Sequence, residues 1–236
     1  MFKRLSGIIL CIGLILGVAV NVNAATNTVT VSVVDSIGTE STGYNYSYNS
    51  KGLVSEVDSF LKGDNDYNVG GSQSTFKYNS DGTFKKVKHV QTGGFVGQQT
   101  YIYTYKYKDN KLVKIVDSYS VLNSEPEKQT LSVKYYKDNR IKSIGKTKFT
   151  YDENKRILPY SNGYVKYHYT DEGDITVEGV SLVYNGDNVV EKKYDDGSLK
   201  INYKSINVNK KLVKQIKAQQ WAIVNDIFSS WYYYQY

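Results

Sequence analysis

The chain has 236 residues, 30 basic against 23 acidic, and a net charge of +7. Tyrosine occurs 24 times and phenylalanine 7 times, against 19 glycines, 2 prolines and one cysteine. This balance favours strands and turns over aliphatic helix, and a single cysteine excludes an intrachain disulfide.

The first segment reads as an export signal. Lys3 and Arg4 precede an apolar run from Leu5 to Val20, and Val22-Asn23-Ala24-Ala25 follows as a small-residue cleavage pattern. That order is a secretory signal peptide, residues 1–24, cut after Ala24. The run is shorter than the roughly 20 residues a bilayer-crossing helix needs, so no stable membrane span is expected. Cys11 follows Leu10 rather than a small residue, which makes it a poor lipid acceptor, and it leaves with the leader. The expected product is a secreted protein, extracellular or periplasmic, and its lack of cysteine suits bacterial export. Its basic excess is modest and dispersed, which suits anionic wall or glycan polymers and argues against a dedicated nucleic-acid partner.

From residue 25 to residue 208 the chain repeats itself. Eight units share an aromatic or long side chain, any residue, a tyrosine, and a polar turn closing on Gly or Asn: they are anchored at Tyr48, Tyr78, Tyr107, Tyr136, Tyr151, Tyr169, Tyr184 and Tyr194. An apolar residue follows each turn, at Val54, Phe84, Leu112, Ile141, Ile157, Ile175, Val190 and Leu199. Gly or Asn closes the turn because a tight hairpin needs positive φ, and Asp, Asn or Ser before it bonds the turn's own amides. Residues two apart in a strand point the same way because the pleat alternates, so Tyr101, Tyr103, Tyr105 and Tyr107 share one face and Ile102, Thr104, Lys106 and Lys108 the other. The expected fold is all-β: successive antiparallel hairpins forming a continuous twisted sheet.

The first three intervals between anchors are about twice the later ones, and residues 63–75, 91–99 and 121–130 read as long return loops projecting from one end of the sheet. Such loops are where function is expected to vary.

This unit resembles the YD repeats of RHS-like bacterial surface and secreted proteins, in which Tyr-Asp is followed by a Gly or Asn turn and an apolar return. Tyr151-Asp152 and Tyr194-Asp195 match literally, and the resemblance covers about residues 44 to 203. It implies a continuous sheet of hairpins. Large RHS members curl that sheet into a shell around a toxin, a role this short chain does not share.

Residues 209–236 change character. Leu212, Val213, Ile216, Gln220, Ile223, Val224 and Ile227 fall at helical spacing beside Lys210, Lys211, Lys214 and Lys217, which predicts one amphipathic helix over 210–224 with Asn209 as its N-cap. A helix covering the sheet is the simpler reading; a membrane-surface or partner helix is the alternative. The tail Trp231 to Tyr236 is aromatic, but lacks the repeated Trp of choline-binding modules.

No catalytic or metal site emerges, and no cofactor. His89 and His168 stand alone, His168 out of phase with its flanking tyrosines and so facing solvent. No Gly-x-Ser-x-Gly elbow or His-Glu-x-x-His helix occurs. The pairs Asp152-Glu153, Asp171-Glu172 and Asp195-Asp196 lie in turns, where acids shape the turn rather than cleave sugars. Asp64-Asn-Asp66-Tyr-Asn68-Val-Gly70 departs from a calcium loop, with Gly one place late and Thr75 where the bidentate Glu belongs. The expected function is therefore non-enzymatic: binding an extracellular glycan, a cell-wall polymer or a surface protein, by residues the sequence does not identify. A secreted glycan hydrolase with acids in the long loops, and a purely structural envelope protein, are the alternatives.

Overall fold

The computed structural model describes residues 27–61, 71–93, 97–122, 124–154, 156–158 and 167–225. The leader, the Asp64–Gly70 stretch and the Trp231–Tyr236 tail lie outside the described residues. The strands are β1 (Thr28–Gly38), β2 (Thr42–Tyr48), β3 (Val54–Leu61), β4 (Gly71–Tyr78), β5 (Phe84–Thr92), β6 (Gln99–Lys108), β7 (Lys111–Val121), β8 (Glu127–Tyr135), β9 (Ile141–Ile144), β10 (Thr147–Lys148), β11 (Thr150–Tyr151), β12 (Ile157–Leu158), β13 (Tyr167–Tyr169), β14 (Ile175–Val177), β15 (Ser181–Asn185), β16 (Asn188–Tyr194) and β17 (Gly197–Asn209). Thirteen of them make one antiparallel sheet in the order β10 through β1, then β17, β16 and β15. The expected all-β hairpin architecture is therefore what the chain adopts. Two hairpins, β11–β12 and β13–β14, form small sheets of their own between the ends of the large one. The pairing of β1 with β17 joins the first and last strands along ten residue pairs, Thr28–Asn209 to Gly38–Lys200.

The repeated turn has one geometry. After Tyr48 and Tyr78 the first turn residue donates its N–H to a carbonyl four residues on, and the fourth donates back to the first: Asn49 to Leu53 and Gly52 to Asn49, both 2.9 Å, then Asn79 to Thr83 at 2.8 Å and Gly82 to Asn79 at 3.1 Å. Tyr136 with Asn139 and Thr170 with Gly173 repeat the pattern. The fourth position always has positive φ: +79° at Gly52, +86° at Gly82, +68° at Asn139 and +88° at Gly173. At Gly52 space is short as well, since a Cβ would lie 2.4 Å from Val208 Cγ1.

A β-bulge follows the turns after Tyr48, Tyr78, Tyr107, Tyr135 and Tyr184 and sets which side chains meet the core, while the β13–β14 hairpin pairs without one. Tyr48 faces Val54 and Ser47 faces Glu56, leaving Ser55 extra; Lys85, Val113, Lys142 and Val190 are the equivalent extra residues in later hairpins. A bulge turns the strand by one residue, so two apolar residues three apart reach the same face. Phe84 with Val87, Leu112 with Ile115, and Ile141 with Ile144 are all buried in this way.

The same rule corrects two sequence assignments. Tyr135, not Tyr136, pairs with the return residue Ile141 and takes the place of Tyr48 and Tyr78. Val189, 2% exposed, is the buried return residue of its hairpin, because Val190 is the bulged one.

The anchor is tyrosine rather than phenylalanine because its hydroxyl reaches the neighbouring hairpin. Tyr78 donates to Val54 O at 2.6 Å, Tyr135 to Leu112 O, Tyr151 to Ile141 O and Tyr203 to Val189 O, the last three at 2.8 Å. Each acceptor is the return residue after a turn, where the bulge interrupts the ladder. The ring packs in the core while the oxygen closes a backbone gap, a bond worth about 1 kcal/mol net.

Asn209 ends β17 and caps a short 3₁₀ turn, Lys210–Leu212, by accepting the Lys211 N–H at 2.9 Å. Helix α1 (Val213–Val224) follows. Ile216, Ala222, Ile223 and Val224 are buried against the sheet, while Lys211, Lys214 and Lys217 are exposed. The helix thus covers a sheet face. Its amide side chains serve the strands beneath: Gln219 Oε1 accepts the Val54 N–H at 3.2 Å, and Gln215 Nε2 donates to Gly82 O. At its far end Trp221 Nε1 donates to Gly173 O at 3.0 Å, and Asn225 Oδ1 accepts the Ile175 N–H. One helix therefore ties the turn after β4 to the turn after β13.

In an antiparallel meander alternate connections leave from opposite ends, so the turns after Tyr48, Tyr78, Tyr107 and Tyr135 lie at one end of the sheet and the long returns at the other. The returns are shorter than the sequence suggested. β4 begins at Gly71, β6 at Gln99 and β8 at Glu127, each inside a stretch read as loop. These strand starts are polar (Gly71-Ser72-Gln73-Ser74, Glu127-Lys128-Gln129), and backbone pairing rather than apolar burial holds them in the sheet.

Candidate functional site

The helix and the core occupy the tight-turn half of the inner face. Tyr105 is 4% exposed with its ring 5.6 Å from that of Phe84, and Tyr103 packs partly buried on the same core. Toward the long returns the inner face changes chemistry within one strand. Cross-strand pairing sets Ser74 opposite His89, His89 opposite Tyr101, Tyr101 opposite Tyr119 and Tyr119 opposite Glu127, one row over β4 to β8. None of these side chains belongs to the hydrophobic core.

Neighbours in the row touch. Ser74 Oγ and His89 Nδ1 share a 2.9 Å hydrogen bond. The His89 and Tyr101 ring centroids are 6.0 Å apart, and those of Tyr101 and Tyr119 are 4.8 Å apart. Tyr101 donates to Gln99 Oε1 at 3.0 Å. One rank nearer the core, Gln129 Nε2 donates to Asp117 Oδ2 at 2.8 Å. Asp117 Oδ1 is buried with no hydrogen-bond partner among the described residues.

Burial lowers the His89 pKa below its ordinary value, so the ring is neutral at pH 7. Burial first, and then the Tyr119 hydroxyl and the Asp117 charge, raise that of Tyr101. The row is thus a floor of two rings, a neutral imidazole, amides and an acceptor-rich carboxylate.

The sequence left His89 as structural or solvated, and it is half-buried and bonded. His168 is exposed, as its phase required. The other row members were not singled out as a site, because they lie on four strands and meet only through cross-strand register. Tyr101 was visible as part of the 101–107 aromatic alternation, but nothing local separates it from the buried Tyr105, and Tyr119 stood in no such pattern.

Ser74 is 4% exposed and bonds the imidazole at Nδ1. Of the turn acids, Asp152 Oδ1 accepts the Arg156 N–H at 2.7 Å, a turn-shaping role. Among the described residues no group of three metal-ligating side chains gathers, and no helix is long and apolar enough to cross a membrane. No protein-family model and no curated protein matches the chain.

Proposed function

We propose that this is a secreted, non-enzymatic repeat protein of the YD type that binds an extracellular polysaccharide on the polar and aromatic floor beside the long returns. The observation that carries the reading is the contact of Tyr101 and Tyr119 at 4.8 Å, next to His89 and the unpartnered Asp117 Oδ1. Tyrosine faces suit the C–H faces of sugar rings, and a buried carboxylate oxygen lacking a donor suits a sugar hydroxyl. The repeated turn, the bulge and the tyrosine anchor support the YD resemblance. Export rests on the pattern of residues 1–24.

The test is a binding screen of residues 25–236 against neutral polysaccharides and wall polymers, run beside a Tyr101→Ala, Tyr119→Ala variant. Binding that the double variant loses supports the reading. Binding that survives it moves the site elsewhere, and release of reducing sugar would make the protein a hydrolase.

A further inference from the structure

The opposite face of the same strands has different chemistry. On β4 and β5, Lys77 pairs directly with Lys86, and on β6 and β7, Lys106 pairs directly with Lys114. The hairpins adjoin through Lys86 opposite Thr104, so the second like-charge pair lies on the neighbouring strands one rank along from the first, in a diagonal. Lys88 and the bulged Lys85 flank the first pair, Lys108 the second. Lys77, Lys106 and Lys114 are exposed, Lys86 partly so.

Like charges directly opposite on a sheet destabilise it, typically by a few tenths of a kcal/mol to about 1 kcal/mol. The outer positions of these strands provide no carboxylate to offset them: they are Gln73 and Thr75 on β4, Val90 on β5, Thr100, Ile102 and Thr104 on β6, and Val116, Ser118 and Ser120 on β7. On the adjacent strand, Glu56 and Asp58 of β3 lie opposite Thr75 and Gln73, and Asp81 and Asp109 lie in the turns beyond the lysines. Glu56 is raised above its ordinary pKa chiefly by its hydrogen bond to Asp58, the mark of an acid held by another acid rather than by a lysine.

We propose that this lysine face binds a linear phosphodiester polymer of the cell envelope. Four ammonium heads, one on each strand from β4 to β7, form a track that follows a chain of evenly spaced phosphates. Lysine contributes point charges without the planar fork that would select one bidentate geometry. The outer positions of β4 to β7 carry no aromatic side chain, so no platform exists for stacking nucleic-acid bases. Their apolar side chains, Val90, Ile102 and Val116, include no Trp, Phe or Leu of the kind by which an interfacial surface enters a bilayer. The charge stays unpaired among the described residues because the polymer pairs it. This site is independent of the sugar floor on the inner face.

The experiment uses residues 25–236 and a Lys77→Gln, Lys86→Gln, Lys106→Gln, Lys114→Gln variant. The probes are a synthetic poly(glycerol phosphate), its glycerol-only analogue, double-stranded DNA, and phosphatidylglycerol vesicles, each at 50 and 200 mM salt. The expected result is selective binding of the phosphodiester polymer that weakens roughly 50-fold between the two salts, from a slope of about 0.7 per phosphate over four contacts. The variant should lose both the affinity and most of the salt dependence, with a Tm no lower than that of the parent. Unchanged polymer binding in the variant overturns the proposal, as does binding of DNA or vesicles at least as tight as that of the polymer. A Tyr101→Ala, Tyr119→Ala protein should bind the phosphodiester polymer normally, which separates failure here from failure of the sugar site.

Discussion

Gln220 Oε1 on the helix accepts the backbone N–H of Val34 at 2.6 Å, in the middle of the first strand and 186 residues away in sequence. Val34 precedes the one irregularity in the β1–β17 ladder, where Asp35 is the extra residue. The helix thereby supplies an acceptor that the sheet does not. Tyr48 donates to Val34 O at 2.5 Å, so both backbone groups of this residue are satisfied by side chains. Gln220→Leu preserves bulk and removes the acceptor, leaving a buried N–H unpaired at a cost of about 1–3 kcal/mol. Urea denaturation should show that loss. A midpoint within error of the parent would mean that water or another group takes over.

The turn after Tyr78 separates backbone conformation from side-chain bonding. Gly82 has φ +86°, which a β-branched residue adopts only with strain, and an added Cβ would press on the Gln215 amide. Asp81 contributes only local bonds, to Thr83 N at 2.9 Å and Thr83 Oγ1 at 2.7 Å. Gly82→Val should therefore lower Tm by clearly more than Asp81→Ala does. Equal shifts would contradict the hairpin geometry.

Much of this fold was legible because its determinants are local. The Gly or Asn of each turn, the tyrosine before it and the apolar residue after it lie within seven positions, and Asn209 announced the helix that follows. What was not legible depends on register. The bulge moves the buried residue from Val190 to Val189 and the anchor from Tyr136 to Tyr135, and no residue type marks that step. The pairing of β1 with β17 joins segments more than 160 residues apart, and β1 carries no tyrosine anchor. The candidate floor is legible only in part for the same reason: Ser74, His89, Tyr101 and Tyr119 are brought together by three successive pairings, two set by hairpin turns and one, β5 with β6, across a long return.

Thr83 also offers a charge readout. Its side-chain hydroxyl and then its amide hold the Asp81 carboxyl below its ordinary pKa. A depressed carboxylate contributes stability above its unfolded pKa, near 3.9, and loses it as pH falls through the folded value. Thr83→Val removes the hydroxyl donor, so the Asp81 midpoint followed by NMR should move up toward the ordinary value. An unchanged midpoint would assign the shift to the backbone alone.

At alkaline pH the tyrosine anchors set the limit. Burial, with a smaller contribution from Asp174, pushes Tyr203 up to about 12, and burial raises Tyr48 and Tyr107 further. Folded values above the unfolded value of about 10 mean stability that is complete below pH 10 and is lost as pH rises through the folded values. Tyr203→Phe abolishes one such ionisation and the bond to Val189 O. It should be less stable at pH 7 by about 1 kcal/mol, yet lose less stability than the parent between pH 10 and 12. Parallel stability curves for the two proteins across that range would refute the assignment.

Tyr101 and Tyr105 lie on one face of one strand, and the structure gives them opposite roles. Tyr105 is 4% exposed among Phe84 and the core, so Tyr105→Ala removes a packed ring and should cost on the order of 3–5 kcal/mol. Tyr101 stands two ranks nearer the long returns, against His89 and Tyr119 and outside the core. Tyr101→Ala should cost about 1 kcal/mol or less, the value of a cross-strand aromatic pair, while lowering polysaccharide affinity at least tenfold. Tyr103, partly buried between them, should fall between the two in stability. The measurements are urea midpoints for the three alanine variants and isothermal titration of each that folds. A Tyr101→Ala protein as unstable as Tyr105→Ala would extend the core to the long-return end and leave no floor for a sugar to occupy. A stable Tyr101→Ala protein that binds like its parent would retain the packing account and remove the binding one.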